Sequence, residues 1–347
     1  MGASGKKKAA TIYDIAKSVG VSGATVSRAI NNKGYISDEL KERIYKTAKE
    51  LNYIPNPAAR SLKTRRTNQI MLSTIYLRDY FNFDMIEAVQ NTAKSHGYSL
   101  LLNFTGDNEN EEIKMLKNVR ENFVDGLILV SLNFTEKHMK EIMNIQYPIV
   151  LTGICTNRIV GGEGLFDYVG VDTQKGTYIA TKHLISQGHT EIGYVGLPSK
   201  IQSWDERYRG FCMAMEEAGL KQREEYIITG GYDENFGYEA GLTYAKLKKR
   251  PTAICASADM IVIGLYRAFE HEGIRIPEDI CIVGMDNIDL DTLVKPKISS
   301  VAIAQADIGR TAAELIFRRL DGSNEPFQDI IFQPRLIVRE SSVNKVL

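Results

Sequence analysis

Hydroxyl, amide and guanidinium side chains recur at helical spacing between residues 22 and 31. Val26, Ala29 and Ile30 form the apolar side of the predicted helix, so the other residues share the opposite face. The polar groups there can donate and accept the hydrogen bonds that phosphate oxygens and base edges require. That face consists of Ser22, Gly23, Ala24, Thr25, Ser27, Arg28 and Asn31. The pattern is typical of a helix that lies in the major groove of DNA.

Two further helices are predicted around this one, and they would hold it in place. Thr11 and Asp14 have the spacing of a capping box, which begins the first helix. Gly20 can take positive φ at the turn, and Ser22 then caps the second helix. A third helix begins at Ser37, and its predicted buried stripe is Leu40, Ile44, Ala48 and Leu51. The segment is predicted to be a helix-turn-helix; a plain three-helix bundle with ordinary surface polar residues is the alternative.

A short basic segment follows the third helix. Asn56 is a suitable cap and Pro57 a suitable first residue for a fourth helix, only about two turns long. Leu62 stands there among basic residues, namely Arg60, Lys63, Arg65 and Arg66. An apolar side chain ringed by cations suits a wedge between base pairs in a minor groove, whereas a plain charged linker is the alternative.

Charge is distributed unevenly along the chain, although the formal net charge is zero. Residues 1–66 hold 14 Lys/Arg against 5 Asp/Glu, a balance of +9, and the remainder holds 29 against 38, a balance of −9. A basic head suits a polyanionic partner. The four cysteines form no CxxC pair and are expected to be buried thiols. Since no apolar run matches a membrane span or a signal peptide, we expect a cytoplasmic protein.

Past residue 66, short apolar runs alternate with helical patterns. The predicted strands are Ile70–Tyr76, Ser99–Phe104, Gly126–Ser131, Ile149–Gly153, Ile192–Gly196, Ile227–Thr229, Thr252–Ala256 and Ile280–Met285. The predicted helices include Met85–His96, Ile113–Asn122, Gly176–Gln187, Phe211–Ala218, Tyr238–Leu247 and Ile261–His271. Repeated βα units indicate parallel sheets covered by helices on both faces. We expect two such lobes, with ligands at the carboxyl ends of the strands.

The body lacks the sequence motifs of the commonest enzyme classes. No GxGxxG motif follows a strand, and neither a GxxxxGK[ST] phosphate loop nor a GxSxG elbow is present. The five histidines are scattered, and His183 and His189 are predicted to be surface residues. The body is therefore predicted to be a binding module, not an enzyme, with no cofactor and no metal site.

Five strings in the head together resemble the lactose/galactose repressor (LacI/GalR) family of bacterial transcription regulators. They are Thr-Ile-Tyr-Asp-Ile-Ala, Gly-Val-Ser, Ala-Thr-Val-Ser-Arg, Leu-Asn-Tyr-Ile-Pro-Asn and Ala-Arg-Ser-Leu. The resemblance extends over nearly all of the chain beyond the first ten residues. It implies a hinge helix that folds on DNA as a symmetric pair, with Leu62 kinking the site. The predicted DNA contacts outside the second helix are Thr11, Tyr13, Tyr35, Asn56, Ala59 and Leu62.

The family reads bases from the start of the second helix, which here carries Gly23 and Ala24. Neither has a polar side chain, so Ser22, Thr25, Arg28 and the deformability of the DNA site would supply more of the specificity.

The resemblance also implies a body like the periplasmic sugar-binding proteins, with two lobes, three crossovers and a small effector in the cleft. Positions that match the family's effector contacts are Phe81, Asn82, Asp172, Ser203, Arg207, Tyr232 and Asp286. Carboxylates accept hydroxyl hydrogens, an arginine fork donates in a fixed plane, and an aromatic face suits a sugar ring.

Several of these positions leave alternatives open. An aspartate at the end of a strand, such as Asp172, is a helix cap as often as it is a ligand contact. Trp204 is as compatible with core packing as with ligand stacking. Ala258 and the Tyr80-Phe81-Asn82 string depart from the sugar-responsive pattern. The departures indicate a less polar or differently shaped pocket floor.

The predicted fold class is an all-α helix-turn-helix head plus hinge helix, joined to an α/β two-lobed body with two doubly wound parallel sheets. The predicted segments are a flexible basic tail (1–10), the helix-turn-helix (11–55), the hinge (56–66), and an effector-binding and dimerisation domain (67–347). Within that domain the N-lobe covers about 67–172 and 302–331, and the C-lobe about 173–301 and 332–347.

These features predict a homodimeric or tetrameric transcription regulator that binds a palindromic operator in double-stranded DNA, with no membrane partner. We expect a repressor of carbohydrate genes controlled by a sugar or sugar phosphate. One alternative is a global regulator whose body responds to a partner protein. A solute-binding protein for transport fits poorly with the basic head, and a sugar-modifying enzyme would need an acid/base pair or phosphate loop.

Overall fold

The computed structural model describes residues 10–32, 34–54, 66–76, 80–106, 108–121, 123–131, 135–153, 164–196 and 202–343. The chain divides into two compact units, residues 1–67 and residues 68–347. In the described part of the chain, no helix is long and apolar enough to cross a membrane.

The described residues of the head form the helices α1 (Ile12–Val19), α2 (Gly23–Ile30) and α3 (Asp38–Glu50). One side chain from each helix is completely buried in their shared core: Ile15, Val26 and Ile44. Leu51 is 37% exposed and does not belong to the buried stripe predicted for α3. Because α3 ends at Glu50, Leu51 is its C-cap residue and leaves the helical register.

The described residues of the body form two sheets of six strands each. Their strands in chain order are β1 (Gln69–Thr74), β2 (Ser99–Phe104), β3 (Gly126–Val130), β4 (Ile149–Thr152), β5 (Asp167–Val171), β6 (Ile192–Gly196), β7 (Ile227–Thr229), β8 (Ala253–Ala256), β9 (Cys281–Asp286), β10 (Ser299–Ala302), β11 (Asp329–Phe332) and β12 (Arg335–Ile337). The first sheet has the order β11-β5-β4-β3-β1-β2, and the second has the order β12-β10-β9-β8-β6-β7. All pairs are parallel except β10 with β12.

Helices connect most of the strands. They are α4 (Phe83–Ser95), α5 (Glu109–Val119), α6 (Glu136–Ile142), α7 (Thr173–Ser186), α8 (Gln202–Glu217), α9 (Glu234–Ala245), α10 (Asp259–Glu272), α11 (Leu290–Leu293) and α12 (Gln305–Leu320). Helix α8 begins nine residues before the predicted start at Phe211, because its first turns carry polar residues without an apolar stripe.

Within the residues that the structure describes, the chain passes from one sheet to the other between β5 and α7, between β10 and α12, and between β11 and β12. Ala302 pairs with Asp286 in the second sheet, and Phe332 pairs with Val171 in the first. The second and third crossovers therefore each lie one residue later in the chain than the predicted lobe boundaries, which were 301/302 and 331/332. Each lobe is built from segments that are distant in sequence, and α12 packs against α4 and the first sheet.

The central strands of both sheets pair in parallel, and this explains why they are continuous apolar runs. All five residues of β3 are buried, as are all four of β4 and β8. Helices on both faces exclude water from such strands, so no alternation of polar side chains is needed. This arrangement places the carboxyl ends of β6, β8 and β9 along one edge of the second sheet.

Candidate functional site

The start of the head is fixed by hydrogen bonds within the first helical turn. The backbone N–H of Thr11 donates to Asp14 Oδ2 at 2.8 Å, and the N–H of Asp14 donates to Thr11 Oγ1 at 3.4 Å. Helix α1 ends at Gly20, whose φ is +77°. The predicted capping box and glycine turn are confirmed, and they set where α2 begins.

Close packing and a cap determine how α2 begins. The N–H of Thr25 donates to Ser22 Oγ at 3.1 Å, which confirms Ser22 as the cap. A Cβ added at Gly23 would lie 3.2 Å from Cε1 of Tyr13, closer than most Cβ contacts. Glycine at this position thus lets the start of α2 lie against the Tyr13 ring, so its occurrence has a packing reason as well.

The face of α2 that points away from the core can contact a partner. Ala24, Arg28 and Asn31 are exposed there, while Thr25 and Ser27 are half-buried. Tyr13 is 78% exposed and Tyr35 is 99% exposed. Exposed aromatic rings, a cation and the amino end of a helix together suit a phosphate backbone and its grooves.

Three predicted DNA contacts of the hinge lie outside the described residues, namely Asn56, Ala59 and Leu62. Their assignment stays a prediction.

In the body, the structure brings Arg207 and Asp286 together. Arg207 lies on α8 and is 2% exposed; its Nη1 donates to the carbonyl oxygen of Ser257, and its Nη2 lies 3.7 Å from Asp286 Oδ1. The hydroxyl of Thr177, on α7, donates to the Arg207 carbonyl at 2.6 Å. Ser257 follows β8 and Asp286 ends β9, so the guanidinium lies at the carboxyl edge of the second sheet. Sequence reasoning missed Ser257, which directly follows a predicted strand.

Asp172 has a structural role that the sequence left open. Its carboxylate Oδ1 accepts the N–H of Lys175 at 2.8 Å, and so it caps α7. The first crossover between the sheets begins here, because β5 ends at Val171. A cap at this point fixes where the chain turns into the second lobe, and an effector contact by Asp172 stays a prediction.

An aromatic pair joins the two lobes. The rings of Tyr76 and Tyr232 lie 5.9 Å apart between centroids, at 33° between planes. Tyr76 follows β1 of the first sheet, and Tyr232 follows β7 of the second. Sequence reasoning predicted Tyr232 but missed Tyr76, although Tyr76 ends the first predicted strand and so stands at a carboxyl end. Two adjacent aromatic rings at such a position can together cover one apolar face of a ring-shaped ligand.

Asn82 lies in the first lobe and is 4% exposed. Its Nδ2 donates to Thr74 Oγ1 at 3.1 Å, so the amide is bonded to the last residue of β1. The side chains of Phe81, Ser203 and Trp204 lie outside the described part of the structure. Among the predicted effector residues whose side chains the structure describes, Arg207 and Asp286 lie beside each other.

The prediction that His183 and His189 are surface residues was wrong. Both are half-buried: His183 Nε2 lies 2.8 Å from Ser342 Oγ, and His189 Nδ1 lies 3.0 Å from Thr252 Oγ1. Burial lowers the pKa of each imidazole, so both are neutral at pH 7. Among the described residues, no cluster of histidine, cysteine or carboxylate side chains could hold a metal ion.

A helical head joined to a two-lobed, parallel-sheet body with a polar strand edge defines a class of regulated DNA-binding proteins. Residues 11–56 match the bacterial regulatory proteins of the lacI family, and residues 181–342 match the periplasmic binding protein-like domain. The HTH-type transcriptional repressor PurR of Edwardsiella ictaluri is 31% identical over 334 residues, which cover 96% of each chain.

Two solved structures are similar to this chain over almost its entire length. The complex of the transcriptional regulator CelR with cellobiose covers 96% of this chain and 99% of that chain, with a TM-score of 0.72 and 25% identity. The Lac repressor dimer bound to operator and the anti-inducer ONPF covers 97% and 100%, with a TM-score of 0.85 and 21% identity. The second likeness is one of fold.

The chain therefore belongs to the lacI family of bacterial regulatory proteins. This membership confirms the predicted family, the fold class and the function as a DNA-binding transcription regulator. The family consists of transcription regulators and not of enzymes.

Proposed function

We propose that this chain represses genes of carbohydrate metabolism, binding a palindromic operator as a homodimer under the control of a sugar or sugar phosphate. Membership of the lacI family supports the DNA-binding part. The similarity to CelR, whose structure contains cellobiose, supports a carbohydrate effector.

The buried pair of Arg207 and Asp286 is the observation that carries the effector assignment. A guanidinium and a carboxylate 3.7 Å apart at a strand edge offer a donor fork beside an acceptor. Hydroxyl groups of a polyol can bond to both, because each hydroxyl donates and accepts. In this proposal Tyr76 and Tyr232 together cover one C–H face of the sugar ring.

The exposed face of α2 carries the DNA half of the proposal. An eight-residue helix spans too few base pairs to select one site in a genome, and a twofold pair of such helices selects a palindrome. We therefore propose a homodimer that acts in the cytoplasm, with α2 of each protomer in a major groove and the hinges in the minor groove between them.

Control requires that effector and operator influence each other. A change in the angle between the lobes alters the spacing of the two hinges in the dimer, and with it the stability of the hinge–DNA contacts. Such coupling is typically about 1–3 kcal/mol, and it is reciprocal.

Two measurements test the proposal with the full-length protein. Selection from a random duplex pool should enrich a palindrome, and competition with unselected duplex at moderate salt should leave that complex intact. A thermal-shift screen with cellobiose, ribose and glucose 6-phosphate should then raise the melting temperature with at least one compound, and that compound should change operator affinity. Equal affinity for selected and random duplex would refute the DNA half, and no response to any sugar or sugar phosphate would refute the effector half.

A further inference from the structure

The loop that follows β9 has an unusual backbone. Asp286 has φ +120° and Asn287 has φ +58°, both in the region that favours glycine. A non-glycine residue in such a conformation persists only where its surroundings hold it. Asp286 is also the carboxylate beside Arg207. Two side chains from other parts of the second lobe hold this loop.

Asp259 binds the loop from beneath. It is the first residue of α10 and is fully buried. Its Oδ2 accepts the N–H of Asn287 at 2.6 Å, the N–H of Ile288 at 3.3 Å and the hydroxyl of Ser300 at 2.8 Å. These donors belong to the loop and to β10, so this carboxylate joins α10 to the loop.

The neighbouring backbone leaves room for this contact. A Cβ added at Gly284, two residues before Asp286, would overlap Asp259 Oδ1. The strand thus lacks a side chain at the one point where the carboxylate must pass beneath it.

Arg339 binds the same loop from the C-terminal segment, beyond β12. Its Nη2 donates to Asn287 Oδ1 at 2.6 Å, and its Nη1 donates to the Ile298 carbonyl at 2.6 Å. The same Nη1 lies 3.8 Å from Asp291 Oδ2, and the Arg339 backbone N–H donates to Ser299 Oγ at 2.7 Å. The planar guanidinium donates to Asn287 Oδ1 and to the Ile298 carbonyl from two separate nitrogens, which the single nitrogen of a lysine cannot reproduce.

One cation, Arg339, and two buried acids, Asp259 and Asp291, lie around the loop. Burial, and after it the charge of the neighbouring Asp291, raise the pKa of Asp259. Burial also raises the pKa of Asp291, where the hydrogen bond with Asp259 and the nearby Arg339 guanidinium oppose the rise. The amide and hydroxyl donors favour the charged form of Asp259. A carboxylate that accepts three donors holds a loop more firmly than a neutral amide would.

We propose that Asp259 and Arg339 are positioning residues of the effector site: they hold the Asp286–Asn287 loop in the left-handed conformation that places the Asp286 carboxylate beside Arg207. The proposal rests on the proposed function, in which Arg207 and Asp286 bind the effector. Arg339 follows the third crossover between the lobes, so the loop is tied to the part of the chain that joins them.

Hydrogen–deuterium exchange of the full-length protein tests the proposal without an effector. Asp259→Asn keeps the size of the side chain, and Asp289→Asn is a matched control in the same loop because Asp289 is exposed. Amides of residues 284–291 should exchange about tenfold faster in Asp259→Asn, since the amide oxygen still accepts the three donors but lacks the charge that strengthens these hydrogen bonds. The control should match the wild type, and strands β6 and β8 should exchange at the wild-type rate in both variants.

Arg339→Gln gives a second, independent test, with Arg335→Gln as its control on the exposed part of β12. It should accelerate exchange in the same loop, and Arg339→Lys should restore only part of the protection. Wild-type exchange in the loop of Asp259→Asn and Arg339→Gln would overturn the proposal. Equally faster exchange throughout the second lobe would also overturn it, because the two residues would then be general supports of the fold.

Isothermal titration with cellobiose, ribose and glucose 6-phosphate links the loop to the site. A compound that binds the wild type should bind Asp259→Asn and Arg339→Gln about tenfold more weakly, and both controls within about twofold. Equal affinity in all five proteins would overturn the positioning role. If none of the sugars or sugar phosphates tested binds the wild type, the effector assignment fails, while the exchange result still decides whether the two residues hold the loop.

Discussion

Replacing Arg207 by lysine should weaken effector binding without breaking the fold. The guanidinium reaches the Ser257 carbonyl with Nη1 and faces Asp286 with Nη2, and an ammonium, whose donors share one nitrogen, cannot reproduce this fixed fork. The variant keeps the positive charge, so Asp286 does not remain buried without a cation, which would cost about 3–5 kcal/mol. Loss of one charge-assisted hydrogen bond costs about 1.5–3 kcal/mol, which is about a 10- to 150-fold rise in effector Kd.

The assay is isothermal titration of the wild type, Arg207→Lys and Arg209→Lys with the compound found by thermal shift. Arg209 lies on the same helix and is exposed, so it is a matched control. Operator affinity without effector should agree among the three proteins within about twofold, because α2 is unaltered. An effector Kd for Arg207→Lys equal to that of the control would refute the assignment of Arg207.

Three further predictions concern the hinge, the dimer and the buried acids. Leu62→Ala should lower operator affinity in a gel-shift assay and leave the effector Kd unchanged; unchanged operator affinity would remove its wedge role. The 67–347 fragment should sediment as a folded dimer at micromolar concentration, and a monomer would place the dimer contact in the head. Burial raises the pKa of Asp291 from 3.8 to about 7, so the folded chain binds this proton more tightly and loses stability as pH rises from about 4 to about 7. In urea unfolding, the free energy of unfolding of the wild type should therefore fall by about 2–3 kcal/mol more than that of Asp291→Asn between pH 5 and pH 8. Equal pH dependence of the two proteins would contradict the raised pKa of Asp291.

Local sequence patterns predicted those elements whose stability is local or whose surroundings are uniformly apolar. Strands β2, β6 and β7 have the predicted bounds, since each is a compact apolar run between turn residues. Strands β5 and β11 of the first sheet and β10 and β12 of the second were not among the predicted strands. The last two, Ser299–Ala302 and Arg335–Ile337, are short and partly polar. They are strands because the completed second sheet pairs them, which no local pattern can show.

For the site, too, the sequence predicted some residues, and others depend on long-range packing. The resemblance to a family named Arg207 and Asp286, and the structure gives the contact between them. The supports beneath them come from α10 and from the C-terminal segment, and their grouping depends on long-range packing. Asp259 illustrates this: in sequence it is an acid at the start of a helix, where a favourable interaction with the helix dipole would suffice as its explanation.

The order in which the segments of the first lobe occur in the chain has a consequence for biosynthesis. Strand β11 pairs beside β5, and α12 covers the first sheet, where Ile316 Cγ2 would lie 2.6 Å from a Cβ at Gly126. Both elements are translated after residue 304, whereas the head is complete by residue 54. During translation the head therefore emerges from the ribosome and can fold well before the first lobe is complete. A messenger RNA with a stop codon before the segment that encodes α12 should yield aggregation-prone chains with uncovered apolar strands, and not unregulated repressors.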